Sequence, residues 1–408
     1  MSASLPSYEA AAAIVAAHAA SLAATPRQTE TVPLSEAATR ILAAPIHADR
    51  EMPPFPRSTR DGYAVRASEA SAHLPLRIAG SIRAGEGPAA APLPPASAWE
   101  IMTGAAVPTA ADAVAMLEHV QIADGQIRLT PPRSLESGEN IIATGSEAHA
   151  GEKIIPAGVR LSAAHIAAAA SCGFAELAVF RKPAVAILTT GDELVPVTAE
   201  PAQGQVRNSN APMLAAFIEQ FGGSAQIFPT VADTAEALDA ALAAAANADL
   251  LILSGGVSAG KFDLVEPALA RLGAEFHFTG ARIQPGKPIV FGQLPRSGRT
   301  QPLFGLPGNP ISSAATFLLF AAPILAALAG GTHDLPRFVY ARLAHEIKGK
   351  PGLTRFVPAT VTAGAQATPA GSKGSGDLAA FARANCFLQI PEGIERIPAG
   401  ETAKILLF

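Results

Sequence analysis

Three glycine-containing segments carry residue types that bind phosphate, and each directly follows a predicted strand. They are residues 190–193 (TGDE), 254–260 (SGGVSAG) and 306–312 (LPGNPIS). Glycines let backbone N–H groups approach a phosphate, and Asn309 followed by Pro310 has the N-cap and N1 residue types of a helix start. A tight turn at a sheet edge would explain any one segment alone. Together they predict one anion site, because loops converge at the carboxyl ends of parallel strands.

Carboxylates and one lysine are the candidate reactive groups around that site. Asp61, Glu193, Asp233 and Asp263 fall near predicted strand-end turns, where they could hold Mg²⁺ through waters and phosphate oxygens. For each carboxylate singly, a solvated or helix-capping role is the alternative. Lys287 lies in residues 284–288 (QPGKP), where flanking prolines stiffen the loop and favour an oxyanion contact over a plain surface lysine.

Other chemistries lack their residues. The nine histidines form no HExxH pair, and no GxSxG, GxxxxGK[ST] or CxxC pattern occurs. Cys172 and Cys386 lie far apart, which excludes a disulfide framework and favours a reducing, cytoplasmic location. A net charge of −4 gives no positive field for nucleic acid, so we expect no nucleic-acid partner.

The elements that position these residues predict a multidomain α/β chain. Strands alternate with helices from residue 181, which favours a central parallel, doubly wound sheet with flanking mostly-β domains. The apolar run 311–329 is interrupted by polar residues and is interpreted as a buried helix, so no membrane partner is expected. The predicted parts are a helix and linker (1–32), a linker and dimerisation domain (33–50 and 150–180), a β-rich insertion (51–149), the α/β domain (181–332) and a C-terminal β domain (333–408).

Seven motifs, in this order, resemble the molybdenum insertase family, which includes bacterial MoeA and the gephyrin E domain. They are residues 53–55 (PPF) with 61–64 (DGYA), 102–105 (MTGA), 190–194 (TGDEL), 254–258 (SGGVS), 285–288 (PGKP), 305–310 (GLPGNP) and 374–376 (GSG).

The resemblance implies a molybdopterin molybdotransferase with a MogA-like molybdopterin-binding domain. Such an enzyme inserts molybdate into adenylylated molybdopterin, releases AMP in the presence of Mg²⁺ and is an elongated homodimer with shared sites. Contact with other proteins of molybdenum-cofactor biosynthesis is a further expectation. Gln284 stands where many relatives have a second lysine, which would weaken molybdate binding.

The resemblance also assigns roles to individual residues. Those implicated in catalysis are Asp61, Thr103, Glu193, Asp233, Asp263 and Lys287, with Glu193 and Asp263 as metal ligands. The expected molybdate pocket contains Lys287, Ser312, Arg355 and Ser375. The remaining ligand-binding positions are Gly255, Gly256, Ser258, Gly308, Asn309 and Pro310.

Two other functions stay open at this point. A molybdopterin adenylyltransferase would share the central α/β domain, although the flanking segments 33–180 and 333–408 disfavour it. A noncatalytic scaffold like gephyrin would not need the carboxylates Asp61, Glu193 and Asp263.

Overall fold

The computed structural model describes residues 5–87, 92–256, 264–331 and 336–408. The chain forms two compact units. One contains Met1–Ala43, Gly158–Ser162 and Glu176–Phe408, and the other contains Ala44–Ala157 and Ala163–Ala175. The finer five-part division stays a prediction.

A six-stranded sheet organises the first unit. Its strands are β1 (Ala184–Thr189), β2 (Ser224–Ile227), β3 (Leu250–Ser254), β4 (Glu275–Thr279), β5 (Val290–Arg296) and β6 (Arg299–Leu306). Their spatial order is β2-β1-β3-β6-β5-β4. The first four strands in this order are parallel, whereas β5 and β4 run antiparallel to their neighbours.

The antiparallel edge corrects the prediction of a purely parallel sheet. The apolar patterning of the sequence predicts strands at 288–292 and 302–305. In the structure both strands are longer and meet in a hairpin, in which Arg296 pairs with Arg299. Only Ser297 and Gly298 separate them, and Gly298 has a φ of 74°. A two-residue loop with a glycine at positive φ matches the right-handed twist of paired antiparallel strands.

Helices cover both faces of this sheet, as a doubly wound fold requires. They are α1 (Tyr8–Ala23), α2 (Asn210–Gln220), α3 (Ala235–Ala244), α4 (Val265–Arg271) and α5 (Pro310–Ala329). Ser7 caps α1 by accepting from Ala10 N, and Thr234 caps α3 by accepting from Ala237 N. Side chains of β1 alternate between two cores: Val185 and Ile187 pack on one face, Ala186 and Leu188 on the other.

Helix α5 is the element most apolar in composition. Its mean hydropathy is 2.0, and 94% of its most apolar window is buried inside the protein. Although it is long enough to cross a membrane, it packs within the core, which confirms the prediction of a buried helix. A π turn, Phe317–Ala321, lies in its middle, and Gly330 ends it at a φ of 87°.

A small β barrel follows α5. Its strands are β7 (Phe338–Leu343), β8 (Thr354–Val361), β9 (Gln366–Pro369), β10 (Cys386–Ile390) and β11 (Thr402–Leu407). They pair in the order β8-β9-β7-β11-β10, and β10 pairs with β8 again to close the ring. The mostly-β character predicted after residue 333 is confirmed. The strand Ile283–Gln284 adds to β8 in parallel, so the loop before Lys287 is attached to the barrel.

The second unit is built on another six-stranded sheet. Its strands, in spatial order, are Ala113–Met116, Gly62–Val65, Ser97–Ile101, Leu76–Ile82, Gln126–Leu129 and Val120–Ala123. Its helices are Ala67–Ser71 and Ala163–Ser171. The sequence predicts one strand over 113–120, but in the structure it is split, because the 3₁₀ turn Leu117–His119 interrupts it.

Short elements complete both units. In the first unit these are Thr29–Pro33 with Glu176–Phe180, Leu194–Val195 with Val206–Arg207, Ile347–Lys348 with Arg396–Ile397, the 3₁₀ turns Leu34–Glu36 and Ala245–Asn247, and the helix Leu378–Phe381. In the second unit they are Ile46–His47 with Lys153–Ile155 and Arg57–Ser58 with Ile141–Ile142.

Candidate functional site

A cleft of about 790 Å³ opens at the carboxyl ends of β1, β3 and β6. All three segments singled out in the sequence contribute to it, as the strand-end rule predicts. The lining residues are Thr189, Thr190, Gly191, Glu193, Leu194, Val206, Arg207, Asn208, Ser209, Asn210, Asp233, Ser254, Gly255, Gly256, Pro288, Pro307, Gly308, Asn309, Pro310, Gly376 and Leu378.

Glycine at 255 and 256 lets the loop after β3 pack against the loop after β1. Gly255 has a φ of 95°, and a Cβ there would lie 2.5 Å from the Thr190 carbonyl oxygen. At Gly256 a Cβ would lie 2.9 Å from Thr190 Oγ1. A side chain at either position would therefore push the two loops apart. Ser258, in the same predicted segment, lies outside the described residues.

The third segment places a helix start at the cleft. Asn309 and Pro310 occupy the N-cap and N1 positions of α5, and both line the cleft with Gly308. The Asn309 side chain makes no capping hydrogen bond within α5. Backbone N–H groups in the first turn of a helix have no intrahelical acceptor, and the helix dipole favours an anion there. The prediction of a helix start at this point is confirmed.

Carboxylates form one rim of the cleft. Asp233 N donates to Asp192 Oδ1 at 3.2 Å, so the turns after β1 and β2 are joined. Burial raises the pKa of the Asp233 carboxyl, and the negative charges of Asp192 and Glu193 raise it further. Within the described ranges, no three His, Cys, Asp or Glu side chains are grouped as a metal site. Asp263, the other predicted metal ligand, lies outside those ranges.

Two asparagines in the cleft were missed by the sequence reasoning. Asn208 Oδ1 accepts from Ala211 N, in the first turn of α2, at 3.2 Å, while its Nδ2 donates to Thr189 Oγ1 at 2.8 Å. Asn210 Nδ2 donates to Ser254 Oγ at 2.9 Å and to the Gly308 carbonyl at 2.7 Å. The pattern that could have identified both asparagines is residues 208–210 (NSN), because these are three helix-capping residue types directly before a predicted helix.

Four segments that carry the predicted molybdate-pocket residues are adjacent in the structure. Gln284 pairs with Arg355 in the register of the short strand with β8. A Cβ on Gly286 would overlap the Thr316 methyl group and lie 3.7 Å from the Ser312 carbonyl. Ile311 N donates to the Ser375 carbonyl at 3.0 Å. The backbones around Lys287, Ser312, Arg355 and Ser375 therefore meet at the start of α5.

The side chains of these four residues differ in burial and partners. Lys287 is exposed, and its ammonium forms no hydrogen bond or ion pair with the described part of the chain. Ser312 is buried in the first turn of α5. Arg355 Nη1 donates to the Lys348 carbonyl at 2.7 Å, whereas its buried Nε has no acceptor among the described residues. A guanidinium donor without an acceptor suits an oxyanion.

Asp377 also supports this region and was not anticipated. Its carboxylate accepts from Lys373 N and from Ala380 N, each at 3.0 Å, so it closes the loop that carries Ser375. These backbone hydrogen bonds lower the pKa of Asp377. The loop is therefore shaped by an acid that stays ionised at neutral pH.

Asp61 and Thr103 belong to the second unit, where they are direct partners. Asp61 Oδ1 accepts from Thr103 N at 2.7 Å and from Thr103 Oγ1 at 2.8 Å. Both hydrogen bonds lower the pKa of Asp61. Both residues were candidates from the sequence, and the structure shows that Thr103 orients the Asp61 carboxylate.

Fold and cleft together define a multidomain α/β protein with an open cleft at the carboxyl edge of its central sheet. Three family models match the chain: the MoeA N-terminal region (domains I and II) over residues 6–173, a probable molybdopterin-binding domain over 186–327 and the MoeA C-terminal region (domain IV) over 340–408. The chain belongs to the MoeA family of molybdopterin molybdenumtransferases.

Individual relatives agree with this assignment over nearly the whole chain. The molybdopterin molybdenumtransferase of Nostoc sp. is 34% identical and covers 93% of this chain and 89% of its own length. The Bacillus subtilis enzyme of that name is also 34% identical, over 93% and 90%. Two Pyrococcus horikoshii MoeA structures cover 99% of this chain and 99% and 100% of their own lengths, with identities of 32% and 28% and TM-scores of 0.76 and 0.84. The predictions of family, fold class and transferase activity are confirmed.

Proposed function

We propose that this chain inserts molybdate into adenylylated molybdopterin with release of AMP. The observation that carries the proposal is the cleft, which is lined by the glycine loops, the start of α5 and the carboxylates Glu193 and Asp233. Pro288 and Gly376, the chain neighbours of Lys287 and Ser375, line it as well. A nucleotide phosphate and a metal oxyanion are both anions, and the sequence supplies no cysteine pair, so the dithiolene sulfurs of the pterin would hold the molybdenum.

The phosphoanhydride is the bond that must be cleaved. Loops 254–256 and 307–310 would bind its oxygens through backbone N–H groups, because the glycines leave those groups accessible and the helix dipole stabilises negative charge. One water is consumed: its oxygen bonds to one of the two phosphorus atoms as the P–O–P bridge breaks, so one phosphate departs with AMP and the other stays on molybdopterin. Stabilising the charge on the departing phosphate is the contribution we assign to these loops.

Magnesium is the cation we propose for the acidic rim. Oxygen ligands are what Mg²⁺ prefers, and it commonly completes its octahedron with waters and substrate phosphate oxygens. The residues present fit such a site, because Glu193 and Asp233 line the same cleft and carboxylate oxygens are ligands that Mg²⁺ accepts. Glu193 and Asp233 would hold the ion together with Asp263. The ion would neutralise phosphate charge during cleavage.

Lys287, Ser312, Arg355 and Ser375 form the proposed molybdate pocket. One ammonium, one guanidinium and two hydroxyls can all donate hydrogen bonds to a tetrahedral dianion. The meeting of their four backbone segments and the unpaired Nε of Arg355 support this placement. Exposed Gln284 contributes no charge here, so we expect weaker molybdate binding than with a lysine at that position.

Asp61 and Thr103 are proposed as further functional residues. Their mutual hydrogen bonds fix an ionised carboxylate at a defined position, which a purely solvated aspartate would not need. We further propose a cytoplasmic homodimer, which accords with the family resemblance and with two buried, unpaired cysteines.

Release of AMP tests the proposal directly. Purified protein is incubated with adenylylated molybdopterin, Mg²⁺ and molybdate, and AMP is quantified over time. We expect turnover that requires molybdate. Glu193→Gln should lower the rate at least about tenfold through loss of a cation ligand, and exposed Glu200→Gln, a matched control outside the cleft, should not.

A second assay separates the alternatives. Incubation with molybdopterin and ATP should give no adenylylated product; its formation would identify an adenylyltransferase instead. Binding of adenylylated molybdopterin without any AMP release would favour a noncatalytic role.

A further inference from the structure

In the side-chain amide of the cleft residue Asn210, the nitrogen has hydrogen-bond partners and the oxygen has none among the described residues. Asn210 lies at the start of α2 and is only 8% exposed. Its Nδ2 donates one hydrogen bond to Ser254 Oγ and another to the Gly308 carbonyl, which uses both of its hydrogens. Its buried Oδ1 has no hydrogen-bond partner among the residues that the structure describes.

The orientation of this amide is fixed by its partners. A backbone carbonyl can only accept a hydrogen bond, so the Asn210 atom at 2.7 Å from the Gly308 oxygen must be the nitrogen. Oδ1 is therefore the remaining atom, and it can only accept. A buried acceptor without a donor is destabilising, which makes such groups rare outside binding sites.

The acceptor Asn210 Oδ1 would contact a different part of the substrate from the part that the backbone N–H groups of the glycine loops contact. Phosphate and molybdate oxygens carry lone pairs and would be repelled by Oδ1, so this position is not part of an oxyanion subsite. The group that satisfies it must carry an N–H or O–H hydrogen.

Apolar side chains lie in the same cleft. Val206 and Leu378 line it although they are 53% and 38% exposed, and Leu194 lies beside Val206 across a short parallel pair. Exposed apolar side chains around a polar floor are suited to the faces of a flat heterocycle, whose edge carries the polar groups.

We propose that Asn210 is a specificity-determining residue whose Oδ1 accepts a hydrogen bond from an exocyclic amino group of the substrate's heterocyclic ring. This inference rests on the proposed function, in which the substrate carries two such rings, a pterin and an adenine. Each ring has one exocyclic amino group, so the shared chemistry is an amino group on a flat nitrogen heterocycle.

Two ligand pairs test the inference and distinguish the rings. Binding constants are measured for AMP against purine riboside 5′-monophosphate, which lacks the amino group, and for 6-carboxypterin against 6-carboxylumazine, which has an oxygen there. Wild-type protein should bind the amino member of one pair about tenfold or more tightly, the factor expected for one buried hydrogen bond. The pair that discriminates identifies the ring. Equal binding within both pairs would overturn the inference.

Variants then assign the discrimination to Asn210. Asn210→Leu removes the acceptor at similar volume and should reduce the ratio to about one, and Asn210→Ala, which removes it without adding bulk beside Ser254 and Gly308, should do the same. Asn247→Leu, at an exposed position outside the cleft, is the control for the substitution type. A preference that survives in Asn210→Leu contradicts the inference. If Asn210→Leu does not fold, Asn210→Ala takes its place, and a preference that survives in that variant contradicts the inference.

The outcome is independent of turnover. Discrimination with no AMP release would leave the inference intact and reject the proposed reaction, while AMP release without discrimination would do the reverse.

Discussion

Replacing Gly286 with alanine should separate the loop that carries Lys287 from the helix that carries Ser312. Gly286 has a φ of 106°, and a Cβ there would overlap the Thr316 methyl group and lie 3.2 Å from Ile283 Cδ1. Thr316 is fully buried in α5. Neither neighbour can move away without displacing other core atoms.

The magnitude follows from two separate costs. Holding alanine at a positive φ costs about 1–2 kcal/mol, and overpacking a well-packed core costs about 1–3 kcal/mol. Together Gly286→Ala should destabilise the first unit by about 2–5 kcal/mol, which corresponds to a fall in Tm of about 4–20 °C at roughly 2–4 °C per kcal/mol. Because a two-unit chain need not unfold in one step, Tm shifts are compared among variants rather than converted to free energies.

Thermal unfolding of matched variants resolves the two costs. Gly298→Ala, at a φ of 74° with no atom within 4 Å, carries only the backbone cost. Thr316→Ser removes the overlapping methyl but keeps the hydroxyl that donates to the Ser312 carbonyl at 2.8 Å. The double variant Gly286→Ala/Thr316→Ser should therefore be more stable than Gly286→Ala alone.

Molybdate dependence of AMP release gives the functional readout. Gly286→Ala should need more molybdate for half-maximal rate, and the double variant should recover part of that loss. A double variant no more stable than Gly286→Ala, or a Gly286→Ala protein as stable as Gly298→Ala, would refute the reasoning from steric overlap.

Three further predictions concern charge and packing. Asp61→Asn should lower AMP release without changing its pH profile between pH 5 and 8, because the lowered pKa keeps Asp61 ionised throughout; a profile that changes in this range would contradict it. Asp233→Asn should match wild-type stability near pH 3 and exceed it at pH 7 in urea unfolding, since a raised pKa gives stability that is lost as pH rises through it; a less stable variant at pH 7 would disprove this. Phe304→Ala should cost about 3–5 kcal/mol through loss of buried volume and of the ring stacked 4.6 Å from Phe291; exposed Ile227→Ala is the control, and an equal effect of both would argue against it.

The sequence by itself determined the family, the alternation of strands and helices and the three loops that line the cleft. These features are local: glycines, helix-capping residues and apolar periodicity act within a few residues of chain, so they can be interpreted without knowing distant contacts. The same locality identified α5 as a core helix, because serines and a proline interrupt its apolar run.

Tertiary structure decided what depends on distant pairing. The antiparallel edge of the central sheet exists because only two residues separate β5 from β6, so the two strands form a hairpin. Apolar patterning in the sequence does not specify how long each strand is. The role of Asn210 depends on Ser254 and Gly308, which lie far along the chain and accept hydrogen bonds from its Nδ2. The raised pKa of Asp233 likewise depends on its burial and on the nearby charges of Asp192 and Glu193. Hydrogen-bond partners and electric fields are properties of distances in space, and spacing along the chain does not specify them.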